Sequence, residues 1–132
     1  MPDFGSLNYL AILVSVVASM VIGSVYYSSM LFGKKWEELV GMKMSDVGIG
    51  YAIATLVALV MSFSIAVLFQ YARVTTLVGG LKIGLLVFVG LVLTTNALAN
   101  AFQRKSWQLY FLDMGNHLLT IAAISAILAG WR

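Results

Sequence analysis

The chain has 132 residues, of which 61% are hydrophobic and only 10% charged, with no cysteine and a formal net charge of +3. Soluble domains hold about half apolar and about a quarter charged residues, so a soluble globular class is excluded. Without cysteine there are no disulfides, thiolate metal sites or cysteine nucleophiles, and a small charge gathered in loops reports membrane orientation rather than nucleic-acid binding.

Four apolar runs, at residues 8–29, 50–70, 78–99 and 107–131, come close to or exceed the roughly 20 residues that a helix needs to cross a hydrocarbon core about 30 Å thick. A helix closes its backbone hydrogen bonds internally, as lipid requires. The predicted fold is therefore all-α: an integral membrane bundle of four transmembrane helices, one domain over residues 1–132, with a short interfacial helix between the first and second spans. A secretory leader would need positive charge ahead of a shorter apolar core. Asp3 is the one charge before the first run, so that run is expected to be a retained helix.

The only proline is Pro2, so no span carries a proline break, although glycines can soften the third. In the first span Ala11, Ser15, Ser19 and Gly23 recur every four residues, and in the second Ala54, Ala58, Ser62 and Ala66 do the same. Small residues at that spacing let helices approach closely, either within one bundle or between copies. After the first span, Tyr26, Tyr27, Phe32, Lys34 and Trp36 form a candidate interfacial anchor, because amphipathic rings and basic side chains favour the headgroup level. Phe32, Trp36, Leu39 and Val40 share one helical face opposite Lys35, Glu37 and Glu38, which predicts an interfacial helix ending near Gly41. Lys34 and Lys35 could alternatively serve an anionic ligand.

Ser45 and Asp46 are candidate N-caps for the second span. Gly80 and Gly84 at the start of the third make a GxxxG element, a pattern common in membrane helices by chance. Lys34, Lys35, Lys43, Arg104 and Lys105 lie on one side of a four-span topology, and Arg73, Lys82 and Arg132 on the other. That bias places the first and third loops in the cytoplasm and both termini outside.

The richest polar set lies in the last hairpin: Asn96, Asn100, Asp113, Asn116 and His117. The turn at residues 103–106 is short, so the third and fourth spans are antiparallel neighbours. Counted from its midpoint, Asn96 and Asp113 both lie on the order of 9 Å inside the helix ends. Asp113 and His117 are four apart and share a face, as do Asn96 and Asn100. These groups are expected to converge between helices 3 and 4, Asn96 beside Asp113 and His117 one turn deeper. Such a patch can line a path for protons or a small solute, or it can simply hydrogen-bond neighbouring helices.

No nucleophile elbow, phosphate loop or paired-histidine metal motif occurs. The expectation is a protein that is not an enzyme, with no cofactor and no metal. Two functional readings stand: an oligomeric channel or carrier for protons or a small solute, and a non-transporting accessory or scaffold subunit. The expected partners are the lipid bilayer and either further copies of the chain or a larger membrane complex.

The stretch that carries Tyr26, Tyr27, Ser28, Phe32, Gly33, Lys34 and Trp36, followed by a short loop and three apolar spans, resembles the small bacterial membrane proteins grouped as domain of unknown function 1761. The similarity covers nearly the whole chain. It implies a four-helix protein of the bacterial inner membrane. The family has no established activity, so the resemblance assigns no catalytic or binding residue.

Overall fold

The computed structural model describes residues 3–28, 30–41 and 48–131. The expected caps Ser45 and Asp46, together with Lys43, lie outside the described residues. A 3-10 turn, Phe4–Ser6, leads into α1 (Tyr9–Tyr26), followed by α2 (Gly33–Val40) and α3 (Gly48–Tyr71). The third span is composite: α4 (Leu77–Val87), a π-helical segment (Phe88–Leu93) and α5 (Thr94–Gln103) run end to end. The last element is α6 (Trp107–Gly130).

Four of these stretches are long and apolar enough to cross a membrane. Their outward faces carry large apolar side chains, among them Leu10, Val17, Leu56, Leu86 and Phe111, each more than half exposed. In water so much apolar surface would drive association, whereas lipid tails accept it. This is the all-α membrane bundle that the hydropathy pattern predicts.

Packing is organised around α6. It contacts α1 on one side and the third span on the other, and α3 rests against α1 and α6. Most of the two small-residue stripes is packed inside the chain, since Ala11, Ser15, Ser19, Ala58, Ser62 and Ala66 are buried, whereas Gly23 and Ala54 line a cleft. At the end that carries both termini all four spans meet, with Ala11 and Ile12, Ile65 and Phe69, Ile83, and Ile124 and Leu128 in one core. Gly80 and Gly84 make the closest approach there: a Cβ on the first would collide with Ala129, and on the second with Ser125. The GxxxG element is thus a true contact between α4 and α6.

The same end is closed by hydrogen bonds. Gln70 accepts from the Asp3 amide at 2.8 Å and donates to the Asp3 carbonyl and to Ser6. Asn8 caps α1 by accepting from the Ala11 amide, and its Nδ2 donates to the Trp131 carbonyl. At the opposite end α2 stops at Gly41, whose φ of 79° supplies the left-handed C-cap that the sequence calls for.

A π-helical run was not expected in the third span. Widening the helix tilts carbonyls away from their usual partners. Here four successive carbonyls accept from side chains: Gly90 from Thr94, Leu91 from Thr95, Val92 from Asn96 at 2.8 Å, and Leu93 from Tyr110 at 2.6 Å. The polar triplet Thr94-Thr95-Asn96 therefore serves its own backbone.

Candidate functional site

The site begins at the end of α1. The chain leaves that helix in a tight reversal, with the Phe32 amide donating to the Tyr26 carbonyl and the Gly33 amide to the Ser28 carbonyl at 2.9 Å. Gly33 sits so close to the preceding turn that a Cβ would strike the Tyr27 carbonyl oxygen and the Ser28 backbone. This reversal folds Phe32 back onto Tyr26, ring centroids 4.7 Å apart, and brings Trp36 edge-on to Tyr27 at 6.3 Å.

Both tyrosines turn inward. Tyr26 is buried against α6, where its hydroxyl donates to the Leu112 carbonyl, and a Cβ on Gly115 would collide with that hydroxyl. Tyr27 donates to Asp113 Oδ1 at 2.6 Å. The last turn of α1 runs beside α6, so these rings, expected as headgroup anchors, pack against protein. Lys34 is exposed, as an anchor should be, and Phe32 is 41% exposed.

Asp113 thus takes its hydrogen bond from α1, not from the third span. A hydrogen bond from Tyr27 offsets part of the cost of burying this carboxyl group. Asn116 and His117 lie within the next turn of α6 and line a cleft of about 750 Å³ between α1, α3 and α6. Ser24, Ser28, Tyr27, Trp36 and Tyr51 edge its outer part, and Ser19, Met61 and Thr120 its inner part, about two helical turns below Tyr27. Its remaining walls are apolar, with Met20, Ile53 and Val57 among them. No lysine or arginine lines it among the described residues.

Asn116 Oδ1 is buried and has no hydrogen-bond partner among the described residues. Leaving an acceptor in that condition costs about 1–3 kcal/mol. Ser62 and Ser125 hydroxyls are also unpaired. A serine can rotate its proton onto the carbonyl four residues back, as Ser15 and Ser19 do here. An amide oxygen can only accept, and the backbone amides around it are committed to the helix.

The hairpin residues are therefore divided. Asp113, Asn116 and His117 face α1 and the cleft. Asn100 is buried at the turn, where its carbonyl accepts from the Lys105 amide and its Nδ2 donates to the Lys105 carbonyl. Asn96 is exposed and bonds its own helix. The expected juxtaposition of Asn96 with Asp113 does not form, and the patch does not lie between helices 3 and 4. Equal depth is not equal azimuth: Tyr110, Met114 and Ile121 are the α6 residues that pack with Phe88 of the third span, and Asp113 is about 100° around the helix from Met114.

Tyr27, Trp36, Tyr51, Ser24 and Thr120 were missed as lining residues. The available signal was topological, since the aromatic end of the first span lies on the same membrane side as Asp113. No group of three histidine, aspartate or glutamate side chains gathers among the described residues, so Asp113 and His117 alone would be offered to a metal ion.

A bundle of four apolar helices with a mostly apolar cleft, edged by a few polar side chains, sunk into one end is a multi-span membrane protein. A family model described as protein of unknown function (DUF1761) matches residues 10–129, and the chain belongs to that family. No curated protein and no solved structure matches the chain.

Proposed function

We propose that the protein is a small-solute carrier of the bacterial inner membrane that holds its solute in the cleft between α1, α3 and α6. The observation that carries this reading is the cleft itself: about 750 Å³, mostly apolar, with Tyr27, Asn116 and His117 on its walls. Ligand sites commonly have this size and this mixture of apolar wall and few polar groups. A purely structural cluster would instead close on itself, as the Thr94-Thr95-Asn96 triplet does.

The cleft is blind. Beyond Ser19 and Thr120 the bundle is filled by Ser15, Ser62, Ile121 and Ile124, all essentially without exposure. A continuous pore through one copy is not supported, so passage requires the filled half to open while the cleft half closes, which is the behaviour of a carrier. In the orientation argued from Lys34, Lys35, Arg104 and Lys105 the cleft faces the cytoplasm.

The absence of native cysteine makes the test direct. In Ser24→Cys and Thr120→Cys variants, a membrane-impermeant thiol reagent is expected to label both positions from the side that bears α2. If both cysteines are inert from either side of the membrane while an exposed control such as Lys34→Cys reacts, the cleft is not a solute site.

A further inference from the structure

Resting on that reading, we infer that the carrier is coupled to protons: Asp113 and His117 form one proton-binding site, loaded from the cleft, whose occupancy Tyr27 transmits to the reversal between α1 and α2.

The two residues stand alone in the membrane. Within the four spans there is no other aspartate, glutamate or histidine, and His117 is the one histidine of the whole chain. They lie one turn apart on a shared face of α6, each within electrostatic reach of the other. Ionisable side chains are costly inside a membrane and are the usual elements of proton relays there. One proton takes the pair from a single negative charge to none, whichever side chain holds it.

The cleft supplies the route. His117 lines it, whereas Asp113 stands behind, joined to Tyr27 by the 2.6 Å hydrogen bond. A proton from water in the cleft therefore meets the imidazole first and the carboxyl group one turn further on. Other charged or titratable groups surround the pair without occupying that route. From α1 come Tyr26 and Tyr27, and from α3 comes Tyr51 on the cleft wall. Lys105 acts on Asp113 from the turn that also bears Arg104, and neither lines the cleft. The packed helix α2 carries Lys34, Lys35, Glu37 and Glu38, with Lys35 Nζ 4.0 Å from Glu38 Oε2. The α5 segment brings no such group.

Tyr27 connects the pair to the fold. It is the C-cap of α1, directly ahead of the tight reversal and edge-on to Trp36. Hydrogen bonds to an ionised acceptor are roughly twice as strong as those between neutral groups. A carboxylate that turns to a proton, on its own oxygen or on the imidazole, therefore slackens its tie to Tyr27. Loading thus loosens the mouth of the cleft, the half that must close when the filled half opens.

The experiment uses the full chain in lipid bilayers and needs no solute. The single histidine gives an imidazole nitrogen NMR signature that requires no assignment, and the Asp113 carboxyl carbon signal is the one lost in Asp113→Asn. At least one of the two signals is expected to titrate between about pH 5 and about pH 9, the range open to perturbed side chains of these types. In liposomes of uniform orientation with unequal pH on the two sides, it should follow the side that bears α2. Asp113→Asn should displace the His117 transition by about one pH unit or more, the size that a neighbouring charge produces. Trp36 emission, with Trp107 and Trp131 replaced by phenylalanine, should change at the same pH and lose that change in Tyr27→Phe. If neither signal moves, if the opposite side controls it, or if Asp113→Asn leaves the His117 transition in place, the proton site is wrong while a cleft that labels at Ser24→Cys and Thr120→Cys stands. If the emission change survives in Tyr27→Phe, the transmission is wrong. If both cysteines are inert, the carrier reading and this inference fall together.

Discussion

The chain carries two polar clusters at similar depth on adjoining spans, and they behave in opposite ways. In the third span Thr94, Thr95 and Asn96 all donate to carbonyls of the helix they belong to, and Tyr110 completes the set from α6. In the fourth span Asp113 is held by a residue 86 positions away, and Asn116 and His117 line a cleft. Within a membrane, the destination of a polar group's hydrogen bonds separates structure from site more sharply than its residue type. The triplet bonds carbonyls of the π-helical segment, so its donors are satisfied locally. Asp113 finds its donor on another span.

That contrast is open to direct attack. The largest effect is expected from Gly33→Val, which drives a branched Cβ into the Tyr27 and Ser28 backbone. Overpacking costs typically about 1–3 kcal/mol. Thermal unfolding in detergent should fall accordingly, and labelling of Ser24→Cys should change with it. An unchanged melting temperature would show that the reversal does not position Tyr27.

Next is the pair that anchors the site. Tyr27→Phe leaves Asp113 without its donor at a cost of roughly 1–3 kcal/mol. In a double-mutant cycle with Asp113→Asn the two changes should be strongly non-additive. Additive losses would mean that the hydroxyl and the carboxylate do not act together.

The smallest effect belongs to the other cluster. Asn96→Leu deletes one bond to the Val92 carbonyl, and side-chain hydrogen bonds in membrane helices average about 0.6 kcal/mol. Stability should drop by about that amount, with Ser24→Cys labelling and the His117 titration as in wild type. A displaced titration in Asn96→Leu would erase the distinction between the clusters.

Much of this architecture is legible in the residues. Span number, the amphipathic α2 with its stop at Gly41, the hairpin at residues 103–106 and the shared face of Asp113 and His117 all follow from periods of 3.6 and from length. Gly80 and Gly84 carry a pattern too common to decide anything until Ala129 and Ser125 are seen opposite them. Asn96 shows where linear reasoning stops. Its distance from the turn correctly sets its depth, but the azimuth of each helix depends on what packs beside it. Tyr26 and Tyr27 carry a related ambiguity, because an amphipathic ring suits a headgroup and a partner on a neighbouring helix equally well.

The sequence by itself determined the solvent, the number of candidate crossings and the end of the bundle at which polar residues collect, since hydropathy and chain length are local or additive properties. Only the tertiary structure decided which polar groups meet. Helix rotation is set by the closest contacts in the packed half, chiefly Gly80 and Gly84 against Ala129 and Ser125, together with Tyr26 beside Gly115. Those contacts turn Asp113, Asn116 and His117 towards α1 and leave Asn96 on the outer surface. A difference of about 100° per residue around a helix separates a cleft from a lipid face, and no count along the chain contains it.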